Sequence, residues 1–192
     1  ASRDDCVQVA GHLNTIATSL TKIANDVRLL ASGPRAGLGE ISLPATQPGS
    51  SIMPGKVNPV MCEMLVQVCA YTTGLSNTVT LCGRDGHFEL NVTIPLIAYA
   101  LHESITCLSN GVQTFTNRCI IDIQADPETC QQYVEKSLML VTALNPHIGY
   151  DKAAAIAKQA FEEKKTLKEI LLEKKILTSK EIDKILDPRS MI

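Results

Sequence analysis

The sequence predicts an all-α protein: a bundle of long helices followed by a small C-terminal helical domain. Three observations lead there. Val9, Leu13, Ile16, Leu20, Ile23, Val27 and Leu30 recur at 4-3-4-3-4-3 spacing, an a/d seam sustained for three heptads. No stretch alternates polar and apolar strongly enough to read as a strand. The chain is 45% hydrophobic but only 4% aromatic, with no Trp, so its core is Leu, Ile, Val, Ala and Met, which pack well as helices.

The first helix is expected to stop at Ser32-Gly33-Pro34, where Gly supplies a C-cap and Pro forbids continuation. Residues 33–59 hold Gly33, Gly37, Gly39, Gly49 and Gly55 together with Pro34, Pro44, Pro48, Pro54 and Pro59. A loop of that length in a compact domain is usually functional or disordered, and Ile41, Leu43, Ile52 and Met53, available to anchor it, favour the functional reading. A second helix follows from Val60 to about Leu81, with Val60, Met64, Val68, Tyr71 and Leu75 as its apolar face and Pro59 at its start. Gly83-Arg84-Asp85-Gly86 turns the chain. A third helix is expected from Asn91 to Asn117, with Pro95 near its start and Leu101, Ile105, Leu108, Val112 and Phe115 on its apolar face.

Shorter pieces complete the chain. Asp126-Pro127-Glu128 opens a helix that reaches about Val141 and is broken by Asn145-Pro146. Tyr150 to Lys164 is a further helix, Thr166-Leu167-Lys168-Glu169 begins another with a capping box, and Ser179 to Leu186 is the last. The expected organisation is therefore a bundle over 1–125, with a distinctive loop at 49–59, and a small helical domain over 126–192.

Composition excludes several function classes. The net charge is −2, and the densest basic stretch, Lys164 to Lys184, is interleaved with Glu as a solvated helix face, so no nucleic-acid partner is expected. No apolar run approaches the roughly 20 residues of a membrane span, and no signal peptide is visible, so no membrane partner is expected either. The seven cysteines form no C-x-x-C pair and are odd in number, which suits reduced, mostly buried thiols rather than disulfides or zinc. The opening Ala1-Ser2-Arg3-Asp4-Asp5 lacks Met and runs at once into a helical pattern, as though an upstream segment had been removed.

The chemically informative stretch is Gly49-Ser50-Ser51-Ile52-Met53-Pro54-Gly55-Lys56-Val57-Asn58-Pro59. It is not a phosphate loop, because five residues separate its glycines, Val57 follows Lys56, and no strand precedes it. Two readings stay open on the residues alone. One is a surface connector rich in Gly, Ser and Pro. The other is catalytic: Lys56 as a point charge and Asn58 as an amide donor together suit a carboxylate. In that reading a serine of the Ser50-Ser51 pair acts as base, provided Lys56 and backbone N–H groups stabilise its oxyanion.

From Gly49 to Asn58 the chain matches, without a gap, the pattern G-S-S-x-M-P-x-K-x-N, and so resembles the fumarase/aspartase superfamily. Gly33-Pro34-Arg35-Ala36-Gly37-Leu38-Gly39-Glu40-Ile41, Phe88-Glu89-Leu90-Asn91-Val92 and the run from Thr142 to Lys152 are similar to class II fumarases in order and spacing. Aspartases usually carry Leu where Phe88 stands. The likeness covers essentially the whole chain and weakens over its last 30 or so residues.

That resemblance implies the central helical bundle of the superfamily and the reversible hydration of fumarate to L-malate. The reaction passes through an aci-carboxylate and needs no metal or cofactor. It implies Ser50 as the catalytic base, Ser51, Lys56 and Asn58 as substrate-binding residues, and Glu63 as the catalytic acidic residue that pairs with a His of another subunit. That His, and the upstream Ser, Thr and Asn motifs of the family, have no counterpart here, so the chain is expected to be a C-terminal portion, silent on its own. His12, His87, His102 and His147 read as structural or surface residues and not as metal ligands, and Arg35 as structural. The Asn91-Val92-Thr93 sequon, at a helix start in a reduced-type protein, reads as unglycosylated. The resemblance further implies a homotetramer with shared active sites, in the cytoplasm or mitochondrial matrix. Aspartate ammonia-lyase is the alternative activity, and a non-catalytic helical interaction module the alternative class.

Overall fold

Alanine, rather than the leucine seam, decides how the first helix packs. In the computed structural model, which describes residues 2–47, 52, 53 and 55–191, α1 spans Asp4–Leu30 and its buried line is Ala10, Ala17 and Ala24. Leu13, Leu20 and Val27 flank that line, partly buried. Val9, Ile16 and Ile23, the other half of the predicted seam, stay 44%, 50% and 45% exposed. Small residues at a strict seven-residue interval let the neighbouring helix approach closely, and the seam's larger side chains then fall on either side of the contact.

That neighbour is α2 (Val60–Arg84), which runs on to α3 (Ile94–Phe115). Thr73 donates through Oγ1 to Asn14 Oδ1 at 2.8 Å, and Ser76 through Oγ to the Ala10 carbonyl at 3.1 Å, so α1 and α2 are antiparallel. A Cβ on Gly83 would stand 2.5 Å from a Val7 methyl, so the far end of this pair closes only around glycine. The buried line of α2 is Cys62, Leu65, Cys69, Thr72, Ser76, Val79 and Cys82. The predicted face lies beside it, and Tyr71 is about half exposed. Hydropathy favours large side chains, whereas close helix contacts favour small ones. The same correction applies to α3, where Ile97, Ala100, Ser104, Leu108, Gly111 and Phe115 are buried while Ile105 faces out.

Two boundaries differ from expectation for local reasons. Helix α3 starts at Ile94 rather than Asn91, because Asn91 is buried with its amide bonded to the end of α2. It stops at Phe115 and passes into a π turn, Thr116–Ile120, in which the Ile121 N–H reaches the Thr116 carbonyl at 3.1 Å. Two short strands then appear that no periodicity announces. Strand β1 (Ile41–Ser42) pairs antiparallel with β2 (Gln124–Ala125), Ile41 opposite Ala125 and Ser42 opposite Gln124. Two residues are too few for an alternating pattern to exist.

The chain separates into two compact units, Ala1–Asp126 and Pro127–Ile192. In the second, α4 (Pro127–Lys136) ends before the predicted Val141, because Ser137 turns extended and its Oγ accepts the Met139 N–H. A 3-10 segment follows, Leu138–Leu144. Asn145-Pro146 then opens the short α5 (Asn145–Ile148) instead of breaking a helix, since Pro is tolerated in a first turn. Helices α6 (Tyr150–Glu163), α7 (Leu167–Glu173) and α8 (Ser179–Ile185) complete the unit, with capping boxes at Thr166/Glu169 and Thr178/Glu181. Their core holds Leu144, Ile156, Ile170, Leu171 and Ile182, all essentially inaccessible. Each such side chain contributes about 1.5–3 kcal/mol of burial. Among the described residues, no helix is long and apolar enough to cross a membrane.

Candidate active site

The loop between α1 and α2 is held at its entry by backbone hydrogen bonds and by the Ser32 hydroxyl. After α1 the chain folds back on itself: the Gly39 N–H donates to the Ser32 carbonyl at 2.8 Å, and the Glu40 N–H to the Leu30 carbonyl at 3.0 Å. Ser32 Oγ accepts from the Leu38 N–H at 3.0 Å while donating to the Leu29 carbonyl. Gly37 sits so tightly that a Cβ there would lie 2.3 Å from the Ser32 carbonyl oxygen. The β1–β2 pair and a 2.8 Å bond from the Asp126 N–H to the Glu40 carbonyl then fix where the loop departs.

Ser50 and Ser51, the expected base and its neighbour, lie outside the described residues. The exit of the loop is described. The Lys56 N–H donates to the Met53 carbonyl at 3.3 Å, and the Val60 N–H to the Asn58 carbonyl at 2.8 Å. The Glu63 N–H closes the first turn of α2 on the Pro59 carbonyl at 3.1 Å. Lys56 and Glu63 are solvent-exposed and Asn58 is half-buried. A cation, an amide and a carboxylate thus stand within eight positions of chain at the helix entry, the cation and the carboxylate exposed. An accessible cation beside an amide donor can receive a carboxylate.

Sequence reasoning missed what lies behind this entry. Cys62, in the first turn of α2, is 0% exposed and meets Cys119 of the π turn, 2% exposed. Burial first, and the neighbouring Cys119 thiol next, push Cys62 up to about 12; burial also raises Cys119. Both are therefore neutral thiols at ordinary pH and not nucleophiles. Lone cysteines spaced 57 positions apart carry no sequence signal that they touch.

His12, His87, His102 and His147 are all exposed. Among the described residues, no group of three or more His, Cys, Asp or Glu side chains is placed to hold a metal ion. Asn91 of the sequon is 2% exposed and its amide is engaged, so it cannot carry a glycan in this fold.

A bundle of long helices, with an extended loop leading into its second helix, places the chain in the fumarase/delta-crystallin fold. A family model described as "Lyase" matches residues 1–74, and one described as "Fumarase C C-terminus" matches residues 140–192. The class II fumarate hydratase of Thermosynechococcus vestitus is 55% identical over 184 residues, 96% of this chain and 39% of the relative. The mitochondrial fumarate hydratase of Dictyostelium discoideum is 54% identical over 192 residues, all of this chain and 40% of the relative. Among solved structures, recombinant class II fumarase from Schistosoma mansoni superposes with a TM-score of 0.91 at 45% identity, covering 100% of this chain and 40% of its own. Fumarate lyase:delta crystallin from Brucella melitensis gives 0.93 at 47% identity, covering 97% and 40%. The chain belongs to the class II fumarase family, and it spans about 40% of the length of these relatives.

Proposed function

We propose that this chain is the C-terminal part of a fumarate hydratase and contributes one share of an active site that other chain segments complete. The observation that carries the reading is the gapless signature from Gly49 to Asn58, which leads through Lys56 and Asn58 into the first turn of α2, where Glu63 stands. Identity above 50% to relatives named fumarate hydratase supports the substrate pair, fumarate and L-malate.

In the proposed reaction, Ser50 as an oxyanion takes a proton from the malate carbon next to a carboxylate. Charge spreads into that carboxylate, and the hydroxyl on the neighbouring carbon takes a proton from the His that Glu63 pairs with and leaves as water. Lys56 and Asn58, with Ser51, hold a substrate carboxylate, where a fixed cation and amide dipole stabilise the developing charge. Glu63 orients and polarises a His from another subunit. Such sharing requires association, and the exposed Val9, Ile16 and Ile23 together with the apolar groove of about 500 Å³ between α1 and α3 suit a further helix laid lengthwise. A homotetramer, a place in the tricarboxylic acid cycle, and a cytoplasmic or mitochondrial-matrix location complete the proposal.

The test is to follow fumarate formation by the full-length protein from L-malate and from L-aspartate in parallel. Activity with malate alone is expected. Activity with aspartate alone would move the protein to the ammonia-lyase branch, and activity with neither would leave the loop a connector in a helical interaction module.

A further inference from the structure

One stretch of the first unit touches both ends of the loop between α1 and α2. Where α3 ends, the π turn puts Cys119 against Cys62 in the first turn of α2, at the loop's exit. Four residues beyond that turn, β2 pairs with β1 at the loop's entry, and the Asp126 N–H adds its bond to the Glu40 carbonyl. A π turn takes one more residue than an α turn, and such insertions recur at functional sites. Here it ends the helix while still turning Cys119 inward beside Phe115, in the same cluster as Cys62 and Leu65. Asn58 lies four positions before Cys62 and Glu63 directly after it, so a shift of that first turn moves the whole helix entry.

We propose that residues 116–126 form a brace that positions the exit of this loop, with Cys119, acting through Cys62, as a positioning residue for Lys56, Asn58 and Glu63. The proposal rests on the reading of the loop given above. The thiols do no chemistry in it; they are compact, adaptable groups whose contact sets the start of α2.

The test uses the full-length protein and L-malate. Cys119→Ala is expected to lower kcat on the order of ten- to a hundredfold, since small displacements of positioned groups cost that much, with KM within about threefold. Cys119→Ser, which keeps size and a donor, is expected to recover most of the loss. Hydrogen exchange at the Lys56 and Val60 amides is expected to quicken about tenfold in Cys119→Ala. Unchanged kcat, KM and exchange alongside a lower Tm would reduce Cys119 to packing and overturn the proposal. Should Cys119→Ala fail to fold, the unaltered protein decides: brace and loop exit held together must open together, so the Ile121 and Val60 amides exchange with one opening equilibrium, and separate equilibria would refute the brace. Lys56→Ala tests the catalytic reading alone, because retained turnover there would sink that reading without altering the exchange result.

Discussion

Asn91 donates through Nδ2 to the carbonyl of Cys82 at 3.0 Å, tying the start of α3 to the end of α2 across a nine-residue turn. Its Oδ1 accepts from the Thr93 N–H at 2.8 Å, and Thr93 Oγ1 reaches the same Cys82 carbonyl at 2.9 Å. The turn they close holds Phe88 at φ 50 with its ring 95% exposed. Asn91→Ala leaves the Cys82 carbonyl one donor short and is expected to cost about 1–3 kcal/mol in denaturant unfolding. Mass analysis of protein secreted from a glycosylating host checks the same residue: no glycan is expected at Asn91.

Gly37→Ala pushes a methyl into the Ser32 carbonyl, 2.3 Å from the ideal Cβ position. Backbone atoms cannot yield as a flexible side chain does, so a loss of about 3 kcal/mol is expected, read as a fall in Tm. Gly11, with open space around its Cβ position, is the control: Gly11→Ala should leave Tm equal or higher.

Lys56→Ala in the full-length protein is expected to lower kcat/KM for malate on the order of 10²–10³, the cost of removing one fixed stabiliser of developing charge. Glu63→Gln is expected to lower kcat by about 10²-fold with little change in KM, as for a group that tunes a general acid. Ser50→Ala should remove turnover almost completely. Steady-state kinetics check all three.

Ile16→Lys and Ile23→Lys place charges on a face that is half exposed in the isolated chain. Neither should reduce helicity by circular dichroism, because Lys is a good helix former. Both should shift the full-length protein to smaller species in sedimentation and abolish turnover with them. Unchanged size and activity would remove this face from the proposed assembly.

The two capping boxes of the C-terminal unit make its stability depend on acid. The Thr166 backbone N–H, then its hydroxyl, holds the Glu169 carboxyl below its ordinary value of 4.5. The Thr178 hydroxyl, then its backbone N–H, does the same for Glu181. A carboxyl whose folded value is depressed contributes its stability above the unfolded value and loses it as pH falls through the folded one. Exchange at the Glu169 and Glu181 amides should therefore quicken as pH drops below 4.5, beyond the intrinsic trend. Thr166→Ala with Thr178→Ala should weaken that extra dependence, more at Glu181 than at Glu169, whose main partner is the retained Thr166 N–H, and cost about 1 kcal/mol per cap at neutral pH.

The class of fold, the three long helices, the Thr166/Glu169 capping box and the signature motif were legible in the residues, because each is written in local pattern: heptad spacing, Thr-x-x-Glu, Gly and Pro punctuation. Family likeness then assigned roles to Ser50, Ser51, Lys56, Asn58 and Glu63 that spacing alone left open. Other features depended on the chain folding back. Helix packing was settled by Ala10, Ala17, Ala24, Cys69 and Ser104, small residues whose importance is closeness rather than hydrophobicity. The two-residue strands and the meeting of Cys62 with Cys119 join segments many positions apart, and neither partner carries a mark of the other. Periodicity records which face of an element is apolar; only the tertiary structure decides which of its residues another backbone can approach.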